Sequence, residues 1–161
     1  SFKDFVLLTI IHVQLGELAF GTSPGYAELS VTLRAFENAD MELLTDKCET
    51  IIKGISISEK LDCSISYSEA FPATVNTDDC VSIVQKSAKD IGLDVQMIET
   101  PFKWSEDFGY FSGKYNTCYF GLGSGIDQPQ LHNPDYDFPD DLIESGIGIF
   151  YAIYKKTLSH D

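Results

Sequence analysis

The sequence predicts a fold of two parts: an α+β part, with an antiparallel sheet and a helix on one face, followed by an α/β part. In residues 1–73, apolar and polar side chains alternate along predicted strands, and an amphipathic helix lies between two of these strands. In residues 74–161, predicted helices flank a stretch that is apolar throughout, which is typical of a strand buried on both faces. A boundary between two domains is therefore expected after residue 73.

Three strands are predicted in the first part. Residues 6–14 are rich in β-branched and aliphatic side chains, and residues 26–36 alternate between an apolar and a polar face. Residues 61–69 alternate in the same way. One face of this sheet should therefore carry the helix, and the other face should be polar.

The helix of the first part is predicted over residues 40–53. Asn38 or Asp40 can cap its amino terminus, because their short side chains accept hydrogen bonds from free backbone N–H groups. Gly54 is the expected end, since glycine adopts the left-handed conformation that commonly terminates a helix.

Helices and short strands are predicted to follow one another in the second part. Thr77 should cap a helix that ends at Gly92, with acidic residues in its first turn, where they suit the helix dipole. The other predicted elements are a strand over residues 93–98, a short helix opened by residues 105–107, a strand over residues 117–122 and a helix from about residue 139 to residue 158.

The composition excludes several functional classes. With 161 residues and a hydrophobic content of 43%, the chain is large and apolar enough to form a core. Eleven basic residues stand against 25 acidic ones, and the net charge is −14. Binding to nucleic acid or to an anionic membrane needs clustered Lys and Arg, so neither is expected as a partner.

The cysteines at positions 48, 63, 80 and 118 form no CxxC pair. We interpret them as free, mostly buried thiols of a cytoplasmic protein; a disulfide framework is the alternative. The apolar start over residues 5–13 is too short to span a bilayer and lacks the layout of a signal peptide.

His132 stands in the stretch LHNPDYDFPDD, between a glycine-rich loop and an acidic helix start. A histidine before Asn-Pro is most often a turn residue. The alternative is a metal ligand, because His132 follows a predicted buried strand, where α/β folds place functional groups, and Pro134 restricts the backbone. Asp135 or Asp137 could then orient the second ring nitrogen.

The stretch WSEDF at residues 104–108 has two interpretations. A Ser cap at Ser105 with acids in the first turn is a common helix start. Alternatively, Glu106 and Asp107 form a carboxylate pair that projects into a cleft shared with His132.

Arg34, the single arginine of the chain, lies on the polar face of its predicted strand. It could form a surface ion pair with Glu28, which contributes little stability. The functional interpretation is a clamp for a substrate carboxylate, which a planar guanidinium serves well. His12 and His160 are interpreted as structural or incidental, and the loop GLGSG does not match a phosphate-binding pattern.

Four segments of the chain, in order, resemble a family of dinuclear-zinc amidohydrolases and peptidases. That family includes aminoacylase, succinyl-diaminopimelate desuccinylase, glutamate carboxypeptidase and the hydrolases of indole-acetyl amino acids. The segments are GELAFGTSPGYAELSVTLR (16–34), WSEDF (104–108), YFGLG (119–123) and LHNPDYDF (131–138). The resemblance covers nearly the whole chain, from about Val6 to Leu158, and the LHNP motif is its most specific part.

The resemblance implies a domain arrangement. Family members have a catalytic α/β domain that is interrupted by a smaller lid domain, which commonly mediates dimerisation. Residues 1–73 would then be part of the lid or dimerisation domain, and residues 74–161 would be the C-terminal portion of the catalytic domain. The implied partner is a second copy bound through the lid sheet, or a missing N-terminal half.

The resemblance also implies an active site that this chain contains only in part. His132 would be the last ligand of a two-metal site for zinc, manganese or cobalt, and Arg34, Glu106 and Asp107 would bind substrate. The other ligands and the general base lie in the N-terminal half of the family, so no catalytic residue is expected in this chain.

We therefore expect a split or truncated part of a hydrolase that cleaves amide bonds of N-acyl amino acids or small peptides. By itself the chain should be inactive and should hold no metal tightly. A non-catalytic dimerisation or ligand-binding module derived from the family is the alternative. Many relatives carry Asn-Val-Ile-Pro where this chain has GTSP, and Gly21 cannot replace that Asn side chain, so the resemblance leaves the substrate open.

Overall fold

The structure, a computed structural model, describes residues 1–104 and 106–159. Ser105 and His160, both named above, lie outside the described residues. The elements in chain order are β1 (Val6–Leu15), β2 (Ala27–Ala35), α1 (Asn38–Glu59), α2 (Asp78–Asp90), α3 (Gly109–Ser112) and α4 (Leu142–Leu158). This content of antiparallel strands and helices confirms a mixed α and β fold.

The chain divides into two units. The first contains Ser1–Ala73 together with Pro101–Ser105, and the second contains Thr74–Thr100 together with Glu106–Asp161. The strands and α1 therefore belong to the first unit, and α2, α3 and α4 belong to the second.

β1 and β2 form an antiparallel hairpin, with Val6 opposite Ala35 at one end, and α1 packs against both strands. The register shifts between residues 10 and 12, where β1 contains a bulge. After the bulge His12 lies opposite Ser30, on the face of the hairpin that also carries Arg34. The polar face predicted for β2 therefore continues onto β1.

The α1 helix is longer than predicted, because it passes through Gly54 and ends at Glu59. The residue that follows, Lys60, is left-handed with a φ of 55°. The Leu61 N–H donates to the carbonyl of Ser56 at 2.8 Å, which closes the last turn in a manner common at helix ends. The prediction of Gly54 as the end was wrong, because a mid-helix glycine costs only about 1 kcal/mol and the hydrogen bonds of the next turn offset it.

The side chains predicted to cap α1 bind elsewhere, and α1 begins without a side-chain cap. The Oδ1 atom of Asn38 accepts a hydrogen bond from the N–H of Ala73 at 2.7 Å. The buried carboxylate of Asp40 accepts from the N–H groups of Lys3 and Asp4 at 2.9–3.0 Å. The cap prediction was wrong because these tertiary partners take the oxygens that a cap would use.

In the described part of the chain, no strand forms over residues 61–69, 93–98 or 117–122. An alternating or apolar run indicates which faces a strand could bury, but a strand also needs a neighbour for its backbone hydrogen bonds. Those three strand predictions were therefore wrong. The last segment is half-buried at residues 117–120 and exposed at 121 and 122, rather than buried on both faces.

In the second unit, α2 packs against α4. Ser87 and Ala88 are buried on α2, and Ile149 is buried on α4. The Lys156 ammonium donates to the Asp90 carboxylate at 2.5 Å and links the C-terminal ends of the two helices. The loop that carries His132 precedes α4, the second helix of this pair.

The cysteine thiols are free, as predicted, but Cys63 is exposed and the other three are only half-buried. Over residues 1–104 and 106–159, no helix combines the length and the apolar character that crossing a bilayer requires.

Candidate functional site

His132 lies on an exposed loop that precedes α4. Its backbone is left-handed, with a φ of 74°, which is uncommon for residues other than glycine. The loop is held by two hydrogen bonds of 3.0 Å, from the Asn133 N–H to the Gln130 carbonyl and from the Tyr136 N–H to the Asn133 carbonyl. The His132 side chain is therefore open to a ligand, on a turn whose backbone is constrained on both sides.

Glu106 and Asp107 are exposed and precede α3. The Asp107 carbonyl accepts the N–H of Tyr110 at 3.0 Å, so the acidic pair does lead into a short helix. Burial, and then the negative charges of Glu106 and Asp107, raise the pKa of Tyr119 above its ordinary value of 10.0. The Tyr119 ring packs on Phe108 with 5.0 Å between the ring centroids. The structure thus brings the two carboxylates together with a tyrosine.

Tyr119 is a residue that sequence reasoning did not single out, although its YFGLG motif was noted. The Asn76 side chain accepts a hydrogen bond from the Tyr119 N–H at 2.7 Å and donates one to the Tyr119 carbonyl at 2.8 Å. Next to it, the Thr77 N–H donates to the Thr117 carbonyl at 2.8 Å, and the Thr117 N–H donates to the Thr77 hydroxyl at 3.1 Å. Asn76 carried no sequence signal, because it stands just after the predicted domain boundary and in no predicted element.

Thr77 is the N-cap residue of α2, as predicted, but its hydroxyl makes no cap hydrogen bond. That hydroxyl accepts from Thr117 instead. Residues 76 and 77 therefore anchor the segment that carries Tyr119 to the start of α2.

Arg34 is half-buried in the first unit, opposite Leu7 in the register of the hairpin. Its Nη1 donates to the backbone carbonyl of Lys103. The Lys103 ammonium lies 5.6 Å from the centre of the Phe5 ring, close enough for a cation–π contact. Arg34 therefore fastens residues 101–104 to the sheet, with one of its five N–H donors.

The predicted ion pair of Arg34 with Glu28 does not form between these described side chains. Glu28 accepts a hydrogen bond from the Tyr26 hydroxyl at 2.8 Å instead. The other N–H donors of Arg34 therefore do not bind the Glu28 carboxylate.

Among residues 1–104 and 106–159, no group of three or more His, Cys, Asp or Glu side chains is arranged to hold a metal ion. His132, Glu106 and Asp107 are therefore not members of such a group. A catalytic zinc site needs about three protein ligands, and a single imidazole does not supply them. The described residues alone do not fit a metal centre, so no chemical step is assigned to a metal on them.

The sequence profile of one protein family, described as Peptidase family M20/M25/M40, matches residues 6–156. No solved structure gives a significant match.

The chain is also similar to curated hydrolases of bacteria. It is 27% identical to the hippurate hydrolase of Campylobacter jejuni over 142 residues, which are 87% of this chain and 37% of that protein. It is 25% identical to an uncharacterized hydrolase of Staphylococcus haemolyticus over 152 residues, which are 91% of this chain and 38% of that protein. The chain thus spans less than two fifths of the length of these relatives.

Proposed function

The chain belongs to peptidase family M20/M25/M40, and on that basis we propose that it supplies the C-terminal part of a metal-dependent hydrolase of amide bonds. The match over residues 6–156 carries this proposal, because it takes in every motif discussed above. The proposed substrates are N-acyl amino acids or small peptides. Hippurate, for which the Campylobacter jejuni relative is named, is itself an N-acyl amino acid, benzoylglycine.

Within this proposal, residues 1–73 form part of a lid and residues 74–161 form part of a catalytic domain. The division of the chain into two units near Ala73 supports this assignment, although residues 101–105 group with the first unit. The hairpin of β1 and β2 has two unpaired edges and exposed apolar side chains such as Ile11 and Val13, so the proposed lid has a surface for a second copy.

His132 contributes one metal ligand in the proposed enzyme, and residues from another part of the complete protein supply the other ligands and the general base. Its exposure on a constrained turn supports this role, because an accessible imidazole can join a site that a second segment completes. The proposed metal is zinc, manganese or cobalt. In the 161-residue chain alone we expect weak metal binding and no turnover, since tight binding needs several ligands held in one geometry.

Arg34, Glu106 and Asp107 bind substrate in this proposal. The guanidinium of Arg34 keeps donors beyond the one used on Lys103, and these suit a carboxylate such as that of an acylated amino acid. The exposed carboxylates of Glu106 and Asp107 can accept hydrogen bonds from substrate N–H groups.

The test compares His132→Ala with His12→Ala in the protein expressed from the complete reading frame. We expect His132→Ala to lower bound metal, measured by elemental analysis, and to lower kcat/KM on hippurate by at least about 100-fold, since even loss of a residue that only supports a ligand costs 10- to 100-fold. His12→Ala should change neither quantity. Multiple turnovers by the 161-residue chain alone, lost in His132→Ala, would contradict the proposal.

A non-catalytic dimerisation or ligand-binding module is the second candidate. It is favoured by the finding that the described residues alone hold no metal-binding group. The two candidates differ in the complete protein. A protein that dimerises but neither binds metal nor hydrolyses any N-acyl amino acid would support the module.

A further inference from the structure

Two aromatic side chains of the first unit lie partly open to solvent. The rings of Phe102 and Trp104 stack, with 4.2 Å between their centroids and 15° between their planes. Phe102 is 41% exposed and Trp104 is 40% exposed. We call these two residues the aromatic pair. Both still have apolar surface in water, so a ligand that covered this surface would gain free energy of binding.

Arg34 holds the backbone that carries the aromatic pair. Its Nη1 atom donates to the carbonyl of Lys103, and that carbonyl belongs to the peptide bond between Lys103 and Trp104. Residues 101–105 group with the unit that contains Arg34. The aromatic pair therefore lies beside the guanidinium, within a single unit of the fold.

The residue between the two rings, Lys103, binds on the other side of the segment's attachment. Its ammonium lies 5.6 Å from the centre of the Phe5 ring. The Phe5 ring in turn lies 4.9 Å from the ring of Phe36, at the base of the hairpin. The segment is thus held by Arg34 and by Phe5, so the aromatic pair stands on a braced backbone.

The chemistry of an N-acyl amino acid matches this arrangement. Its carboxylate and its side chain are attached to the same carbon atom, whereas the acyl group lies beyond the amide nitrogen. A carboxylate bound by the N–H donors that Arg34 keeps beyond the one on Lys103 would therefore place the side chain close to the guanidinium. The aromatic pair is the apolar surface at that position.

We propose that Phe102 and Trp104 bind the side chain of the substrate's amino acid and select N-acyl amino acids in which this side chain is aromatic. This inference rests on the proposed function, in which Arg34 binds the substrate carboxylate. Hippurate, for which the Campylobacter jejuni relative is named, has glycine at this position and offers the rings no side chain. The inferred substrate class therefore differs from that relative's.

The test uses the protein expressed from the complete reading frame and two substrates that share the benzoyl group. N-benzoyl-L-phenylalanine carries an aromatic side chain, and hippurate carries none. We expect kcat/KM to be at least about 10-fold higher for N-benzoyl-L-phenylalanine, because its side chain is buried against the stacked rings. Equal values for the two substrates, or a higher value for hippurate, would overturn the inference.

Variants locate the preference on Trp104. Trp104→Ala should lower the ratio of the two kcat/KM values by about 10-fold, and Trp104→Phe, which keeps a ring, should restore most of it. Ile57→Ala removes an apolar side chain that is 79% exposed near the end of α1, and it should leave the ratio unchanged. If Trp104→Ala lowers kcat/KM equally on both substrates, Trp104 serves the benzoyl group or the segment's support, and the inference is wrong.

Binding can also be measured without turnover, because Trp104 is the only tryptophan of the 161-residue chain. N-acetyl-L-phenylalanine should change the fluorescence of Trp104 and should bind at least about 10-fold more tightly than N-acetylglycine. The amide of N-acetyl-L-phenylalanine, which lacks the carboxylate, should bind more weakly than the acid. Equal responses to the three ligands, or no response to any of them, would count against the inference.

The two measurements separate this inference from the proposed function. Hydrolysis of hippurate with a substrate ratio that Trp104→Ala does not change refutes the inference alone. A complete protein that hydrolyses neither substrate, while Trp104 in the 161-residue chain responds to N-acetyl-L-phenylalanine as expected, refutes the proposed activity alone.

Discussion

The side chain of Asn76 binds both backbone groups of Tyr119, accepting its N–H at 2.7 Å and donating to its carbonyl at 2.8 Å. A carboxamide has the same donor and acceptor as a peptide group, so Asn76 takes the place of a neighbouring strand for one residue. The Tyr119 ring is thereby held beside Phe108 and near the carboxylates of Glu106 and Asp107.

Asn76→Ala should therefore destabilise the second unit. Two hydrogen bonds are lost, and we expect the free energy of unfolding to fall by about 1–3 kcal/mol. Asn116→Ala, at an exposed position nearby in sequence, is the control and should change it by less than about 0.5 kcal/mol. Urea titrations followed by tyrosine fluorescence measure both. Equal stability of the two variants would show that the Asn76 pairing contributes nothing.

The stability of the first unit should depend on pH through Asp40. Hydrogen bonds from the N–H groups of Lys3 and Asp4, and the charge of Lys3, lower the pKa of Asp40 below its ordinary 3.8. A carboxyl whose pKa is lower in the folded state stabilises the fold above the unfolded pKa, and this stabilisation is lost as the pH falls through the folded pKa.

We therefore expect the free energy of unfolding to decrease as the pH is lowered below about 4. The variant Asp40→Asn should lack the part of this decrease that comes from protonation of Asp40. Urea titrations of the unchanged protein and of Asp40→Asn, at several pH values between about 2 and 7, measure the free energy of unfolding. The readout is the difference in this free energy between the two proteins at each pH. If that difference is the same at every pH, the carboxylate of Asp40 is not the titrating group.

Gly54→Ala should stabilise the protein. Gly54 lies inside α1, and a Cβ atom there would meet nothing within 4 Å. Alanine in a helix interior is favoured over glycine by about 0.5–1 kcal/mol, so thermal unfolding should shift upward by a few degrees.

Gly16→Ala is the matched contrast and should destabilise. Gly16 has a φ of 52°, and its Cβ would lie 2.8 Å from Cβ of Pro24. The left-handed backbone alone should cost about 1 kcal/mol or more. A result in which both variants shift the melting temperature in the same direction would contradict these local environments.

Arg34→Ala should lower kcat/KM of the complete protein by about 10-fold or more on hippurate, because a charged hydrogen bond to the substrate carboxylate is lost. Arg34→Lys should recover only part of this, since an ammonium cannot make the paired contact.

The bond from Arg34 to the Lys103 carbonyl requires a further control, because its loss could displace residues 101–104. Hippuric acid amide, which lacks the carboxylate, serves this purpose. If Arg34 binds the substrate carboxylate, the variant should lose activity on hippurate and not on the amide. An equal loss on both would make Arg34 a positioning residue for the 101–104 segment.

The candidate site residues could be proposed from local motifs, and their roles stay predictions. The LHNP motif pointed to His132, and the WSEDF motif pointed to the acidic pair, because particular residue types stood together in short, family-like stretches. Tyr119 and Asn76 were not predicted as partners, because they are 43 residues apart and their contact involves one side chain and one backbone. No local pattern in the sequence reports such a pairing.

The sequence by itself determined two of the strands, over residues 6–14 and 26–36, and the existence of α1, α2 and α4, because these follow from residue periodicity and local propensity. Tertiary structure alone decided where the polar side chains bind. Asn38, Asp40 and Thr77 all have the chemistry of helix caps, yet each accepts a hydrogen bond from a backbone N–H at least 35 residues away. The same oxygen can satisfy a near or a distant donor, and the fold brings the distant backbone N–H within hydrogen-bonding distance.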